Sequence, residues 1–194
     1  MNIRNVLYFA LLFLIACASE PEVQESPEHL KHRTDSLNRT IDEKWSAFMR
    51  SDDAKVVRMS QLIGLLDSTG YCTDTLGICD GLRQLSERLK NSRYTRQNMS
   101  NSLLIDEYDL RTDSLMDGLR LLVQQKPDTL TPTPVKDLMQ AIQAADDSVI
   151  IFHKQFDEQV DSYNAFLDFH AEQLQKSGYP EEELQQKPLF RPVK

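Results

Sequence analysis

The side chains of this sequence with the means to do chemistry are two neighbouring thiols, four imidazoles and a few facing charges. Cys72 and Cys79 sit in a turn-rich stretch, residues 71–79, that also contains Gly77. In an oxidising compartment an even pair at this spacing is expected to join; two buried free thiols are the alternative. A metal reading is weaker, because no histidine lies near the pair and zinc usually takes four ligands. His29 and His32 share a helical face without an acid at a ligand spacing, and His170 continues an apolar stripe, which suits a seam position. His153 stands alone. The sequence has no His-Glu-x-x-His, no Gly-x-Ser-x-Gly and no phosphate-cradling glycine loop, and no pattern pairs its serines and aspartates with a histidine. Glu181-Glu182-Glu183 reads as a solvated acidic run. No catalytic residue, no metal and no cofactor is expected.

The elements that must position these groups are helices. Val135, Leu138, Ile142, Ala145, Val149, Phe152, Phe156, Val160, Tyr163 and Leu167 recur at three- and four-residue steps, the seam of an amphipathic helix. Thr133-Pro134 is a capping oxygen followed by a residue with no amide hydrogen, and Ser177-Gly178-Tyr179-Pro180 is a stop. A helix of about 43 residues, roughly 65 Å long, needs equally long partners. Upstream, Ser26-Pro27-Glu28 opens a segment whose apolar step runs from Leu30 to Leu66 and ends at Gly70. A second periodic segment starts near Asp80 and stops at Pro127; its residues 91–101 are almost wholly polar but lack Gly and Pro, which favours one continuous helix. The fold class is all-α: an antiparallel bundle of three long helices over residues 26–178, with a C-terminal tail at 179–194. The alternative is a four-helix bundle with the second segment split.

That register generates one constellation. If helices one and two meet near residues 70–79, Asp52 and Asp53 come level with Arg93 and Arg96, and counting back through the second turn places Tyr163 near the same level, with Asn164 beside it. The apolar stripes fail at these positions, so a polar layer through the middle of the rod is expected. It would fix helix register, since sliding by a turn strands buried charge, or form a binding site.

The N-terminus sets the location. Arg4 precedes an unbroken apolar run from Val6 to Ile15, about ten residues, which suits a signal-peptide core and is too short to span a bilayer. Leu14-Ile15-Ala16-Cys17 resembles the bacterial lipobox, which implies cleavage after residue 16 and acyl chains on Cys17, firm enough together to anchor the chain. Residues 17–25 then form an acidic, lipidated tether, and Ala18 after the cysteine resembles the pattern for passage to an outer membrane. The expected place is the cell envelope, at the periplasmic face or the cell surface. The net charge of −8 becomes −9 without residues 1–16, whose one charged side chain is Arg4. Such a surface repels nucleic acid and anionic headgroups as general partners.

Several short motifs resemble the LemA family of bacterial envelope proteins. They are Asp42-Glu43-Lys44-Trp45, Arg58, Leu62-Ile63-Gly64-Leu65-Leu66, Tyr163-Asn164, Tyr179-Pro180 and Pro188-Leu189-Phe190. The resemblance implies membrane attachment and long antiparallel helices, and no catalytic residue. This chain departs from it at Gly64, where a proline is expected, in the spacing of Tyr179-Pro180, in its cysteine pair, and in an anchor that is a lipid rather than a helix.

The function expected from these features is a lipid-anchored envelope protein that binds another protein or scaffolds an assembly. Exposed residues such as Phe166 and Phe169 would make the contact, and self-association through a leftover apolar face is compatible with it. A small-ligand carrier with a site between helices is the alternative, and an enzyme the third reading.

Overall fold

The computed structural model describes residues 25–72 and 77–190, so Cys17, the expected signal peptide and all of the expected tether except Glu25 lie outside the described residues. The long elements are α1 (Pro27–Ser68), α2 (Ile78–Asn91), α3 (Ser102–Gln124) and α4 (Thr133–Lys176). Single 3-10 turns occupy Asp128–Leu130 and Glu181–Glu183, and the described residues form no strand. No helix among them is long and apolar enough to cross a membrane.

Local chemistry sets the helix ends. Ser26 Oγ accepts from the His29 amide at 3.2 Å, which caps α1 where the sequence places the start. Gly70 and Gly178, beyond the ends of α1 and α4, adopt φ of 73° and 77°, left-handed values that disfavour a side chain. The start of α4 differs from expectation by one residue. Thr133 is already helical, and the Pro132 carbonyl accepts from the amides of Val135 and Lys136 at 3.0 and 3.2 Å.

The second segment is not continuous: it breaks between Asn91 and Ser102 into α2 and α3, so the described residues form four long helices. The break needs neither Gly nor Pro. Asn91 Nδ2 donates to the Glu87 carbonyl at 3.0 Å, Asn98 Oδ1 accepts from the Thr95 amide at 2.6 Å, and Asn101 Oδ1 accepts from the Leu103 amide at 3.2 Å. Short amide side chains take over backbone partners that a helix would have supplied, and so end one helix and cap the next. Within the loop Tyr94 and Met99 turn into the core.

Polar pairs reveal the layout. Lys31 with Ser177, Lys44 with Gln155 and Lys55 with Asp146 rise along α1 and fall along α4, so these two helices run in opposite directions. α2 descends beside α1, from Arg83 on Asp67 at 2.7 Å to Ser86 on Ser60 at 2.7 Å. α3 returns: Tyr108 meets Asp52, and Lys126 beyond its end reaches the carbonyls of Thr69 and Gly70, both at 3.2 Å. Within this hairpin Gly118 allows a close approach, since a Cβ there would lie 2.5 Å from Leu82 Cδ2. Cys72 and Cys79 form a disulfide with Cα atoms 5.7 Å apart, tying the end of α1 to the start of α2.

The hairpin therefore covers only the second half of α1 and the first half of α4. Over the remainder the C-terminal tail doubles back along the pair. Tyr179 donates to Asp35 at 2.7 Å, and farther along the tail Phe190 lies among Trp45, Phe48, Tyr94, His153 and Phe156, with ring centroids 4.0–6.0 Å away. Trp45, the only tryptophan, stacks on Phe190 at 12° between planes. Phe190→Ala is expected to expose the indole and shift its emission to longer wavelength while helix content holds. An unshifted spectrum would mean that Phe190 does not shield Trp45 in solution.

Candidate functional site

At the point where the hairpin begins, α1 carries a carboxylate inside the protein. Asp52 is 2% exposed and Lys55, one turn later, is 4% exposed. A buried carboxylate is costly unless its lone pairs are filled. Tyr108 Oη donates to Asp52 Oδ2 at 2.5 Å, Arg93 Nη2 lies 3.1 Å from the same oxygen, and Lys55 Nζ lies 3.4 Å from Oδ1. Each donor is held in turn. Arg93 also pairs with Asp53 and donates to the Met49 carbonyl at 2.8 Å, and Lys55 reaches Asp146 of α4 at 3.3 Å. α1, the loop at 92–101, α3 and α4 all converge on one acid. Burial, followed by the charge of Asp52, pushes the Tyr108 phenol far above its ordinary range, so it remains a donor.

Of the residues expected in a polar layer, the structure brings Asp52, Asp53 and Arg93 together. Arg96 pairs with Asp42 instead, ten residues back along α1. Tyr163 and Asn164 are elsewhere, because counting through a continuous second helix misplaced α4. Since Lys55 faces Asp146 and Lys31 faces Ser177, Tyr163 falls near the level of residue 38, about 20 Å from Asp52. Its hydroxyl donates to the Glu183 carbonyl. Asn164 binds Lys187 reciprocally, accepting from its amide at 2.9 Å and donating to its carbonyl at 3.0 Å. Asp157 accepts from the Phe190 amide at 2.9 Å. These three side chains treat the tail as a bound peptide, supplying partners to a backbone that beyond the 3-10 turn belongs to no helix or sheet.

Beside Asp52 the helices leave a cleft of about 240 Å³, lined by Lys55, Asp109, Thr112, Asp113, Asp146, Val149, Ile150 and His153. Burial, reinforced by Asp113, Asp52 and Asp106 and opposed by Lys55, pushes the Asp109 carboxyl up to about 6. Burial likewise pushes His153 down to about 4; its Nε2 is buried without a hydrogen-bond partner among the described residues, and its ring stacks on Phe190 at 4.0 Å. Among the described residues no group of three or more His, Cys, Asp or Glu side chains is placed to hold a metal ion.

Sequence reasoning missed Lys55, Tyr108, Asp109 and Asp146. Lys55 and Tyr108 fall on apolar helical stripes, where a basic residue and a phenol signal a buried partner. Asp109 and Asp146 leave no such trace. No protein-family model, curated protein or solved structure matches the chain.

Asp52→Asn keeps the shape but removes the charge that Arg93 and Lys55 share. Unfolding in urea should show a loss of about 3 kcal/mol, the low end for breaking a buried pair, because Asp53 and Asp146 still hold one cation each. A change below about 0.5 kcal/mol would mean the acid is not needed for stability. His153 bears on pH. Its folded value lies below that of free imidazole, so the unfolded chain takes the proton first and stability falls as pH drops from about 6.5 to 4. Asp109 acts oppositely, holding its proton up to about 6 when folded, so its contribution is lost as pH rises through that range. His153→Phe should therefore leave a protein whose stability improves on mild acidification, read from urea midpoints at pH 7, 6 and 5.

Proposed function

We propose that this chain is a lipid-anchored helical envelope protein that works by binding another protein, as a scaffold component without catalysis. The observation that carries the reading is the outer face of α3. Leu103, Leu110 and Leu121 are 74%, 67% and 66% exposed and lie seven and then eleven residues apart, close to two and three helical turns. The opposite face of α3 is filled by Ile105, Tyr108, Leu115, Met116, Leu119 and Leu122, so the bundle has no use for the outer leucines. Single exposed leucines are ordinary; three on one line form a contact face. Phe169, 85% exposed, stays available on α4, whereas Phe166 is buried beside His170 and under Arg33 and is withdrawn from the contact set.

In this reading the helices form an antiparallel bundle with a four-helix head and a two-helix stem. The anchor on Cys17 attaches at the stem, where Gln173 donates to the Glu25 carbonyl at 2.9 Å. The leucine line then begins near the level of Asp52, about 40 Å from the membrane end of α1, within reach of a partner that stands off the bilayer. The motifs that resemble the LemA family suit the same role. The carrier reading draws support from the cleft at Asp109 and from a second one of about 970 Å³, lined by Asn38, Glu183 and Lys187 next to Tyr163, but both are open. Asp109 is one raised carboxyl, short of the converging set a hydrolytic site would need.

A photo-crosslinking residue placed at Leu110 in cells should yield one discrete adduct that is absent when it replaces Lys154, on a solvated part of α4. No adduct from position 103, 110 or 121 would overturn the reading, and an adduct at twice the chain mass would make the partner a second copy.

A further inference from the structure

The tail that covers the stem is held as a ligand is held. Residues 180–190 are all exposed or half-buried, whereas Tyr163, Phe48 and Phe156 beneath them are at most 1% exposed. The backbone of the tail is bound without regard to sequence: Tyr163 donates to the Glu183 carbonyl, Asn164 pairs with Lys187 in both directions, and Asp157 accepts from the Phe190 amide. Two side chains are read closely. Lys187 Nζ lies 4.5 Å from the centroid of the Tyr163 ring, and Phe190 enters the aromatic group of Trp45 and His153, while Leu184 and Leu189 pack partly against the core. The fit is incomplete. A groove of about 970 Å³ opens between tail and α1, with Asn38 and Asp42 on one side and Glu183 and Lys187 on the other. Asn38 Oδ1 at this groove and His153 Nε2 are buried without a hydrogen-bond partner among the described residues. The pairing of α1 with α4 has contacts of its own, from Lys31 to Ser177, Lys44 to Gln155 and Lys55 to Asp146. A peripheral segment of this kind opens before the helices it covers.

We propose that the tail is an autoinhibitory strap, occupying in cis a groove on α1 and α4 whose partner is an extended segment of a second protein with an aromatic residue three positions after a lysine. This rests on the protein-binding reading above and adds a surface on the stem to the leucine line of the head. The segment now in place defines the chemistry of its replacement. Asn164 and Asp157 bind peptide N–H and C=O groups, which a helical partner would have spent on its own ladder. A small aromatic molecule would take the place of Phe190 but bring no peptide groups to Asn164. The tail of a second copy has the right pattern, but the chain's own tail starts directly after α4, at Gly178, and so holds the higher effective concentration.

The test uses the full chain and a fluorescein-labelled peptide with the sequence of residues 181–190, Glu-Glu-Glu-Leu-Gln-Gln-Lys-Pro-Leu-Phe. The tail of the wild-type chain competes for the groove, and that of Phe190→Ala competes poorly. Fluorescence anisotropy should therefore show the peptide binding at least about tenfold more tightly to Phe190→Ala than to wild type. Alanine in place of the peptide's phenylalanine should abolish binding, and in place of its lysine weaken it several-fold. Adding Asn164→Ala to the Phe190→Ala chain should also weaken it several-fold. The unlabelled peptide should return the emission of Trp45 in Phe190→Ala toward the wild-type wavelength, which places the peptide in the groove. Equal binding to both chains, indifference to the phenylalanine, or an emission that does not return would overturn the strap. In cells, a photo-crosslinking residue at Arg39, which lines the groove, should give an adduct with a second protein that is stronger in the Phe190→Ala chain. An adduct at twice the chain mass would make the occupant a second copy and overturn the proposed partner, as would no adduct. If these fail while Leu110 still crosslinks, the strap is wrong and the protein-binding reading stands. If position 110 and the other leucine positions are silent as well, both fall.

Discussion

One buried carboxylate draws three helices and a loop to the same level. Asp52 lies inside the bundle, and its two oxygens are filled by Tyr108 of α3, Arg93 of the 92–101 loop and Lys55 of its own helix. Lys55 extends the network to Asp146 of α4. Shifting any of these elements by a helical turn, about 5.4 Å, would leave a charge in the interior with no partner. An apolar seam tolerates sliding, because one leucine replaces another. A charge with three directional donors does not, and the helices are aligned where it is satisfied.

The same network explains why the chain turns where it does. Arg93 has to reach Asp52, Asp53 and the Met49 carbonyl together, which needs its guanidinium beside α1 rather than on a straight helix running past it. Breaking the segment there folds α3 back over α2 and takes away the covering for half of the long pair. The tail restores it. Tyr163, Asn164 and Asp157 hold the backbone of residues 183–190, and Phe190 fills the aromatic group formed by Trp45, Phe48, His153 and Phe156. A segment without a helical hydrogen-bond ladder stays in place because side chains of α4 act as its ladder.

The two ends of the molecule consequently differ. The stem is a close pair of helices wrapped by a strap, with Leu30, Ile41, Val160 and Leu174 fully buried. The head has four helices, and α3 and α4, which meet where Arg120 donates to Gln143, leave a cleft between Asp109 and Ile150. That gap leaves the acidic cleft, while the outward leucines lie on the face of α3 turned away from the core. An incompletely closed head on a long stem is the physical basis of the interaction reading.

Much of the architecture was legible in the residues. The seam of α4, the cap at Ser26, the stops at Gly70 and Gly178 and the proximity of Cys72 to Cys79 follow from periodicity, side-chain oxygens and backbone freedom, all of which act within a few residues. Asp52, Asp53 and Arg93 could also be placed together, because only one turn separates them along the chain. The break at 92–101 was harder to see, since asparagines end helices by competing for backbone partners, and that competition has no fixed sequence form. Once the break was missed, every level beyond it was miscounted, and Tyr163 and Asn164 were assigned to a layer about 20 Å from where they lie. Local pattern thus determined which residues are helical and which face is apolar. Tertiary structure alone decided which helix covers which, that the tail stands in for a missing one, and that Asp109, Asp113 and Ile150 share a cleft, because those outcomes depend on satisfying buried charge across the whole bundle at once.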